Sequence, residues 1–253
     1  MIRGIQHDLI SNNKYLLRFA QDENDITAAQ RLRFNVFNIE LGEGLKRSEE
    51  QGLDADKYDE QCHHLLVIHK ETANIIGTYR LQTYDTAKQR EGFYTANEFN
   101  LNSIPAEVLS ESVEVGRACI AAEHRNGRVL FLLWRGLAKY LISMNKRYLF
   151  GCCSLTSQSA AEGWNVMKYL EMKNYIHDTF MVTTTAKYKC NKVAVNENRV
   201  AEISLPQLFR LYMDLGAKVC SPPAIDREFK TIDYLVLLDI NTLDERTRML
   251  FFN

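Results

Sequence analysis

A glutamate and an arginine lie three residues apart inside an apolar stretch, where charged side chains need a partner or a function. The stretch Ser112 to Ala122 has the valine and isoleucine content of a β-strand and contains Glu114, Gly116 and Arg117. Strict alternation along a strand would send Glu114 and Arg117 to opposite faces. A β-bulge at Gly116 would bring both side chains to the same face. The sequence therefore predicts a bulged strand that carries a carboxylate and a guanidinium.

Such a strand suits chemistry at a thioester. A bulge frees a backbone N–H, which can hydrogen-bond the oxygen of a thioester carbonyl. Glu114 could then accept a proton from an attacking amine, directly or through water, because partly buried carboxylates bind protons more tightly. The alternative is a structural salt bridge between Glu114 and a neighbouring arginine. Glu114 and Arg117 are the catalytic candidates.

A basic loop follows this strand and opens a helix. Glu123-His-Arg-Asn-Gly-Arg128 precedes a mostly apolar helix predicted over Val129 to Lys146. The N–H groups at a helix start bind phosphate, and a glycine lets an anion approach closely. A pyrophosphate or phosphopantetheine phosphate would fit there, and the alternative is an ordinary solvated connection. The candidate phosphate ligands are Arg125, Asn126, Gly127, Arg128 and Val129.

A second set of charged residues lies upstream, and the most informative of them is Arg80. Its neighbours in Ile75 to Leu81 are mostly apolar, so an inward-pointing guanidinium would need a partner. Arg80 therefore indicates a buried ion network or a site for the carboxylate of an acceptor. The other members are Arg33 and Glu40 on a predicted helix, and Asp56 and Asp59 in the acidic loop that follows it.

Histidine and cysteine patterns point away from metal chemistry. His63 and His64 are adjacent in a strand and face opposite sides, which disfavours a shared metal ion. The six cysteines lie in no zinc or disulfide spacing and are expected to be reduced. Cys152 and Cys153 have no histidine nearby in the sequence, so the role of buried apolar strand residues is favoured over that of a catalytic thiol.

Periodicity predicts a mixed α/β chain. One helix is expected to start close to Ile26. Three more are expected over 129–146, 157–171 and 205–215, and the last of them should end at Gly216. An antiparallel hairpin comes early, a parallel β-α-β unit in the middle and an apolar strand near the end. The predicted strands are Tyr15 to Phe19, His64 to His69, Ile75 to Tyr84, Ser112 to Ala122, Arg147 to Cys153 and Ile232 to Ile240. Without repeats or Pro/Gly/Ser linkers, residues 1–253 are expected to form a single domain.

Charge and hydropathy restrict the classes of partner. The formal net charge of -1 gives no global attraction to nucleic acid, and we expect none as a partner. No signal peptide and no apolar run of about 20 residues is present, so a cytoplasmic protein is expected. The segment His124 to Arg147 has six lysines and arginines and no acidic residue. That basic segment would suit an acidic carrier protein, or form a solvated helix edge.

Several short motifs occur in an order that resembles a known group of enzymes. Arg33-Phe-Asn-Val-Phe37, Asp56-Lys-Tyr-Asp59, Gly77-Thr-Tyr-Arg80-Leu and Glu114-Val-Gly-Arg117 are similar to motifs of the acyl-homoserine-lactone synthases. The chain resembles more closely the ornithine-lipid-type, hemolysin-like acyl-ACP N-acyltransferases of the GNAT superfamily. That closer likeness rests on Tyr58 to Leu65, Glu114 to Leu133, Leu215 to Val219, Pro223 to Asp226 and Asp233 to Leu238. The motifs together cover roughly residues 15 to 240.

The resemblance implies a GNAT fold, which is a mixed, mostly antiparallel sheet with splayed parallel central strands flanked by helices. It implies Glu114 as the base and the loop from Arg125 to Val129 as the phosphate site. It also implies a substrate-binding set of Arg33, Asp56, Asp59, Arg80, Cys119 and Ile120, with Arg117 in the charged cluster.

The implied reaction moves a long-chain fatty acyl group, with or without a 3-hydroxyl, to the amine of an amino acid such as ornithine or glycine. The donor is an acyl-phosphopantetheine, and no permanently bound cofactor or metal is expected. Because the loop Arg125-Asn-Gly-Arg128 lacks the second glycine of the usual acetyl-CoA signature, acyl carrier protein is favoured over CoA. Peripheral contact with the inner membrane face is compatible with a lipid product.

Two alternatives stay open. A signal synthase that makes an acyl lactone is disfavoured by the extended part of the chain from Thr184 onward. A non-enzymatic lipid- or membrane-binding protein with a decayed acyltransferase fold is disfavoured by the presence of Glu114, Arg117 and Arg80.

Overall fold

The computed structural model describes residues 8–252, which divide into two compact units. Unit one comprises residues 8–91, 115–146 and 244–252, and unit two comprises residues 92–114 and 147–243. The expectation of a single domain stays a prediction. Within the described residues, no helix combines the length and the apolar character that crossing a bilayer requires.

The described chain contains nine strands and nine α-helices. The strands are β1 (Asp8–Ser11), β2 (Tyr15–Phe19), β3 (His63–His69), β4 (Ile75–Thr83), β5 (Ser112–Ile120), β6 (Tyr148–Leu155), β7 (Lys218–Val219), β8 (Ala224–Asp226) and β9 (Thr231–Asp239). The helices are α1 (Glu23–Phe34), α2 (Ser48–Gln51), α3 (Tyr84–Gln89), α4 (Ala106–Ser110), α5 (Gly127–Ser143), α6 (Ala160–Met172), α7 (Glu197–Ala201), α8 (Gln207–Asp214) and α9 (Glu245–Phe252). A π-helical turn, Asn35–Glu40, extends α1.

In unit one, β1 to β5 lie side by side in chain order. β2 pairs antiparallel with β3, and β3 with β4, which confirms the predicted hairpin. The edge strand β1 was not predicted. Asp22 caps α1 by accepting a hydrogen bond from the backbone of Asp25, as its side-chain type favours.

Helix α5 is a core element of unit one. Val129, Leu132, Leu133, Leu137 and Leu141 are among its buried residues. Gly136 permits a close approach of α5 to the sheet, because a Cβ there would lie 2.6 Å from Leu65 Cδ2. The apolar character predicted for this segment therefore reflects burial, and the helix begins two residues earlier than expected.

The backbone of β5 is irregular at Arg117. This residue has φ +49°, a left-handed conformation that costs a non-glycine residue free energy and often marks a functional position. Gly116, at which the bulge was predicted, has no positive φ. The irregularity therefore lies one residue later than the glycine suggested.

In unit two, the start of β5 pairs in parallel with β6, from Ser112 opposite Tyr148 to Glu114 opposite Phe150. β6 pairs antiparallel with β9 along its whole length, and β7 and β8 also pair with β9. The β-α-β unit and the closing strand are thus confirmed. Helix α8 ends before Gly216, whose φ of +88° suits the predicted terminator.

Candidate functional site

A buried ion cluster lies in unit one. α1 supplies Arg33, whose Nε lies 2.8 Å from Asp54 Oδ2 and whose Nη2 lies 2.8 Å from Asp59 Oδ2. β4 supplies Arg80, whose Nη1 lies 2.7 Å from Asp56 Oδ1 and 2.9 Å from Asp59 Oδ1. The structure thus brings together four residues predicted from widely separated segments.

Arg117 completes the same cluster. Its Nε lies 3.2 Å from Asp54 Oδ2, and its Nη2 lies 3.3 Å from Asp56 Oδ2. The side chains of the cluster are at most 8% exposed. Asp54 was not predicted, although it lies in the same acidic loop as the two aspartates that were. The ion cluster is defined as Arg33, Asp54, Asp56, Asp59, Arg80 and Arg117.

Charge in the ion cluster is balanced, with three guanidinium groups against three carboxylates. Although burial opposes ionisation, Arg33 and Arg80 hold the pKa of Asp59 well below its usual range. Burial likewise opposes ionisation of Asp56, yet Arg80 and Arg117 lower its pKa. Of the two predicted roles for Arg80, the contacts fit the buried ion network.

Glu40 lies apart from this cluster. It is more than a third exposed and pairs with Arg125, whose Nη2 lies 2.6 Å from Glu40 Oε2. Arg125 also donates from Nε to the carbonyl oxygen of Ile120, at 2.9 Å. The first basic residue of the predicted phosphate loop is therefore oriented by two contacts within unit one.

The start of α5 has the features of an anion site. Asn126 is the N-cap, and its Oδ1 accepts from the backbone of Arg128 and Val129 at 3.2 and 3.3 Å. Beyond the two neighbouring residues and the backbone of its own helix turn, no atom of residues 8–252 lies within 4 Å of the position that a Cβ of Gly127 would occupy. The first turn of the helix contains no acidic residue. This helix start therefore offers open space and a positive dipole end, as a phosphate requires.

The two other predicted substrate contacts, Cys119 and Ile120, end β5. Cys119 is buried, and this burial raises the pKa of its thiol to about 12. A thiol of that kind stays protonated at neutral pH and does not act as a nucleophile.

Glu114 lies in unit two, near the start of β5. Its side chain is 6% exposed. Oε2 accepts a hydrogen bond from the backbone of Tyr94 at 3.0 Å, and Oε1 accepts from the backbone of Thr95 at 2.7 Å and from its hydroxyl. Three donors from one 3₁₀ turn, Tyr94–Asn97, fix the carboxylate and stabilise its negative charge. Thr95 was not identified from the sequence.

The adjacent histidines have separate partners, as their strand positions require. His63 Nδ1 lies 2.5 Å from the hydroxyl of Tyr140, and His64 Nε2 lies 2.9 Å from the carbonyl oxygen of Asp59. Burial lowers the pKa of each histidine to about 4. Both are therefore neutral at pH 7 and act as structural groups.

The cysteines of β6 do not have the environment of a catalytic thiol. Burial raises the pKa of both Cys152 and Cys153. All six cysteines are free.

Half of the positive charges of the basic segment, His124 to Arg147, are compensated by ion pairs. Ion pairs with acidic residues from elsewhere in the chain neutralise half of its lysines and arginines: Arg125 with Glu40, Lys146 with Asp85, and Arg147 with Asp239. Arg128 and Lys139 are exposed on α5.

Known proteins resemble this chain along most of its length. Residues 32–135 match a family model described as an acetyltransferase (GNAT) domain. The L-ornithine N(alpha)-acyltransferase of Brucella abortus (strain 2308) is 32% identical over 244 residues, which cover 91% of this chain and 86% of that protein. The protein of the same name from Rhodobacter capsulatus is 29% identical, with 92% and 93% coverage. The solved AHL synthase LasI has 11% identity, a TM-score of 0.48 and 94% coverage of both chains.

Sequence likeness and the mostly antiparallel sheet with its one described parallel pair define a GNAT-type enzyme with N-acyltransferase activity. The chain belongs to the family of the L-ornithine N(alpha)-acyltransferases. Its reaction uses an acyl donor and an amino-acid acceptor.

Proposed function

We propose that this enzyme transfers a long-chain fatty acyl group from acyl carrier protein to the α-amine of L-ornithine. The observation that carries the acceptor is the name shared by relatives that cover most of the chain. The product is an N-acylated amino acid, a lipid that retains the carboxylate and the side-chain amine of the acceptor.

The proposed mechanism is direct aminolysis. The neutral α-amine attacks the thioester carbonyl carbon and the carbon–nitrogen bond forms. The carbon–sulfur bond then breaks, and the departing sulfur takes the second amine proton and leaves as the phosphopantetheine thiol. Glu114 accepts the proton lost by the α-ammonium group, directly or through water. Its role is supported by the three hydrogen bonds that orient its carboxylate, because a base must be held in position as well as be available. No covalent acyl-enzyme is required.

The proposed donor site is the start of α5. The phosphate of the phosphopantetheine arm lies at Asn126, Gly127 and Arg128, supported by the open space at Gly127 and the acid-free first turn. The thioester oxygen accepts from a backbone N–H of the irregular part of β5, at which Arg117 has φ +49°. Cys119 and Ile120 line the path of the acyl-pantetheine.

Acyl carrier protein is the proposed partner. The exposed cations Arg128 and Lys139 on α5 suit an acidic protein, and the single glycine of the loop departs from the usual acetyl-CoA signature. We place the reaction in the cytoplasm, at the inner membrane face, because the product is a lipid.

A thiol-release assay tests the proposal. The enzyme is mixed with palmitoyl-ACP or palmitoyl-CoA and a panel of amino acids, and mass spectrometry detects the products. We expect ornithine to stimulate release and to yield Nα-palmitoyl-ornithine. Replacing Lys139 with glutamate should raise KM for palmitoyl-ACP severalfold and leave KM for palmitoyl-CoA nearly unchanged, because Lys139 lies outside the proposed phosphate site. If no amino acid stimulates release from intact donors, the proposal is wrong.

A further inference from the structure

Two large apolar side chains are exposed to solvent on either side of Glu40. Ile39 is 69% exposed, and Leu41 is 42% exposed. A single exposed apolar residue is common on a protein surface, so the surroundings of these two decide what they mean. The apolar pair is defined as Ile39 and Leu41.

The exposure of the apolar pair is built into the fold. Ile39 lies in the π-helical turn Asn35–Glu40, and Val36 and Phe37 of the same turn are buried. The backbone N–H of Leu41 donates to the carbonyl oxygen of Val36 at 3.0 Å and closes the turn. Turns of this kind are rare and are often found at functional positions. The inward residues therefore anchor the turn and leave the apolar pair on the surface.

The apolar pair borders the proposed phosphate site. Glu40, which lies between its two members, accepts hydrogen bonds from both terminal nitrogens of Arg125. Arg125 directly precedes Asn126, the N-cap of α5. Two extended side chains joined in this way span at most about 15 Å between their Cα atoms. The apolar pair therefore lies beside the loop that opens α5.

The chemistry of the donor fixes where its protein part must lie. In an acyl carrier protein, the phosphate of the phosphopantetheine arm is esterified to a serine of the carrier. A phosphate held at the start of α5 therefore brings the surface around that serine directly against this helix start. A protein interface of about 800 Å² per partner is roughly 30 Å wide, so it extends over the apolar pair. In CoA the same phosphate continues into a nucleotide, which is far smaller.

Exposed cations flank the apolar pair. Arg31, Asn35 and Ile39 follow one another at intervals of four residues and are all exposed, so they share one face of α1 and its π-helical turn. Arg128 is exposed in the first turn of α5. Neither arginine forms an ion pair with another residue of the described ranges. Glu123 opposes these two cations with a single exposed carboxylate.

We infer that the apolar pair and Arg31 form the surface on which acyl carrier protein docks. This inference rests on the proposed function, since it assigns the contacts of the proposed donor protein. Apolar side chains rimmed by cations suit a partner that presents carboxylates around an apolar patch. The docking surface contacts the protein part of the donor and not the pantetheine arm. It therefore favours palmitoyl-ACP over palmitoyl-CoA, although both donors carry the same thioester.

A comparison of the two donors tests this inference. Transfer to ornithine is measured from palmitoyl-ACP and from palmitoyl-CoA for the wild type, Ile39→Ser and Ile39→Glu. With palmitoyl-ACP, we expect kcat/KM to fall about fivefold in Ile39→Ser, which loses apolar contact. It should fall at least about twentyfold in Ile39→Glu, which also repels an acidic carrier. With palmitoyl-CoA, both variants should stay within about twofold of the wild type.

Met172→Ser is the matched control. Met172 is 68% exposed, as Ile39 nearly is, but it belongs to α6 of unit two and not to the unit that holds the phosphate loop. Its replacement should change kcat/KM less than about twofold with either donor. Activity with palmitoyl-CoA also verifies that the Ile39 variants are folded.

Binding of apo-ACP gives a second readout. Apo-ACP lacks the phosphopantetheine arm, so its affinity reports contacts of the protein surface alone. Fluorescence anisotropy of labelled apo-ACP measures its Kd for each variant. We expect Ile39→Glu to raise this Kd at least about tenfold and Met172→Ser to leave it unchanged.

The outcomes separate the inference from the proposed function. If Ile39→Glu lowers kcat/KM equally for both donors, or lowers it for neither, the inference is wrong. If Ile39→Glu loses binding to phosphatidylglycerol vesicles and keeps the kinetics of the wild type with palmitoyl-ACP, the apolar pair contacts a lipid surface, and the inference is also wrong. If the wild type acylates no amino acid from either donor, the proposed function fails, and the Kd of apo-ACP for Ile39→Glu still decides whether this surface binds the carrier.

Discussion

Thr95 holds Glu114 through both its backbone N–H, at 2.7 Å from Oε1, and its hydroxyl, which donates to the same oxygen. A single residue therefore fixes one edge of the carboxylate, while the backbone of Tyr94 donates to the other oxygen. Two donors on Oε1 and one on Oε2 allow few other orientations of this side chain. In the proposed mechanism Thr95 is a positioning residue, because it orients Glu114.

Replacing Thr95 with valine tests that positioning. Valine keeps the shape of threonine and the backbone N–H but removes the hydroxyl donor. We expect kcat to fall roughly tenfold with little change in KM, because the base is less well oriented while the substrates still bind. Steady-state kinetics measure this split. Thr95→Ser, which restores a hydroxyl, should recover most of the activity, and an equal loss in both variants would contradict the positioning role.

The ion cluster predicts a large stability effect from a small chemical change. Asp59→Asn leaves Arg33 and Arg80 with one buried counter-charge too few. The free energy of unfolding should fall by about 3–5 kcal/mol. Urea denaturation measures it, with Asp85→Asn as the control, because the Asp85 side chain is 70% exposed and such pairs contribute about 1 kcal/mol or less. Similar effects of the two substitutions would show that the cluster contributes little.

Stability should depend on pH between 7 and 5 through two buried histidines. His63 and His64 have pKa values of about 4 in the folded chain, against 6.5 for an ordinary histidine. Because the folded pKa is the lower one, the unfolded chain binds more protons in this window. The stability contributed by neutral histidines is therefore present above pH 6.5 and lost as the pH falls toward 4.

From pH 7 to pH 5, the loss should be about 2 kcal/mol for each histidine. Urea denaturation at the two pH values measures it, and His64→Gln should flatten the dependence. Below about pH 4, protonation of Asp56 and Asp59 should lower stability further, because their folded pKa values are depressed. An unfolding free energy that stays constant from pH 7 to 5 would contradict the burial of neutral histidines.

Gly136 should tolerate no side chain, although it lies in a helix. A Cβ there would lie 2.6 Å from Leu65 Cδ2 and 3.1 Å from Leu17 Cδ2, and both leucines are fully buried. Gly136→Ala should lower the free energy of unfolding by about 1–3 kcal/mol, despite the higher helix propensity of alanine. Gly127→Ala in the same helix is the control, since its Cβ meets open space and stability should change little. Equal effects at the two positions would argue against the close packing of α5 on the sheet.

The elements of the fold were largely predictable, because their signals are local. The strand-like runs His64 to His69 and Ile75 to Tyr84, joined by a turn-like segment, predicted the hairpin, and Gly216 marked the end of α8. Part of the ion cluster could be predicted for a different reason, because a charged Arg80 in an apolar strand needs an ion partner. Asp54 was missed because the acidic loop contains several carboxylates, and their spacing does not indicate which of them turns inward.

The missed site residues depend on contacts between distant segments. Thr95 lies in a polar stretch with no periodic pattern, and it meets Glu114 only because the 3₁₀ turn of Tyr94–Asn97 lies against the start of β5. No local sequence signal identifies such a contact between residues that are distant in the sequence.

The kinetics of Glu114→Gln provide the most direct measurement of the proposed chemistry. Glutamine keeps the size of the side chain and one oxygen acceptor, but it cannot accept the proton of the attacking amine. With palmitoyl-ACP and ornithine, we expect kcat to fall at least a hundredfold, with KM for the donor unchanged and a folded protein by circular dichroism. Turnover within a few-fold of the wild type would contradict general-base catalysis by Glu114.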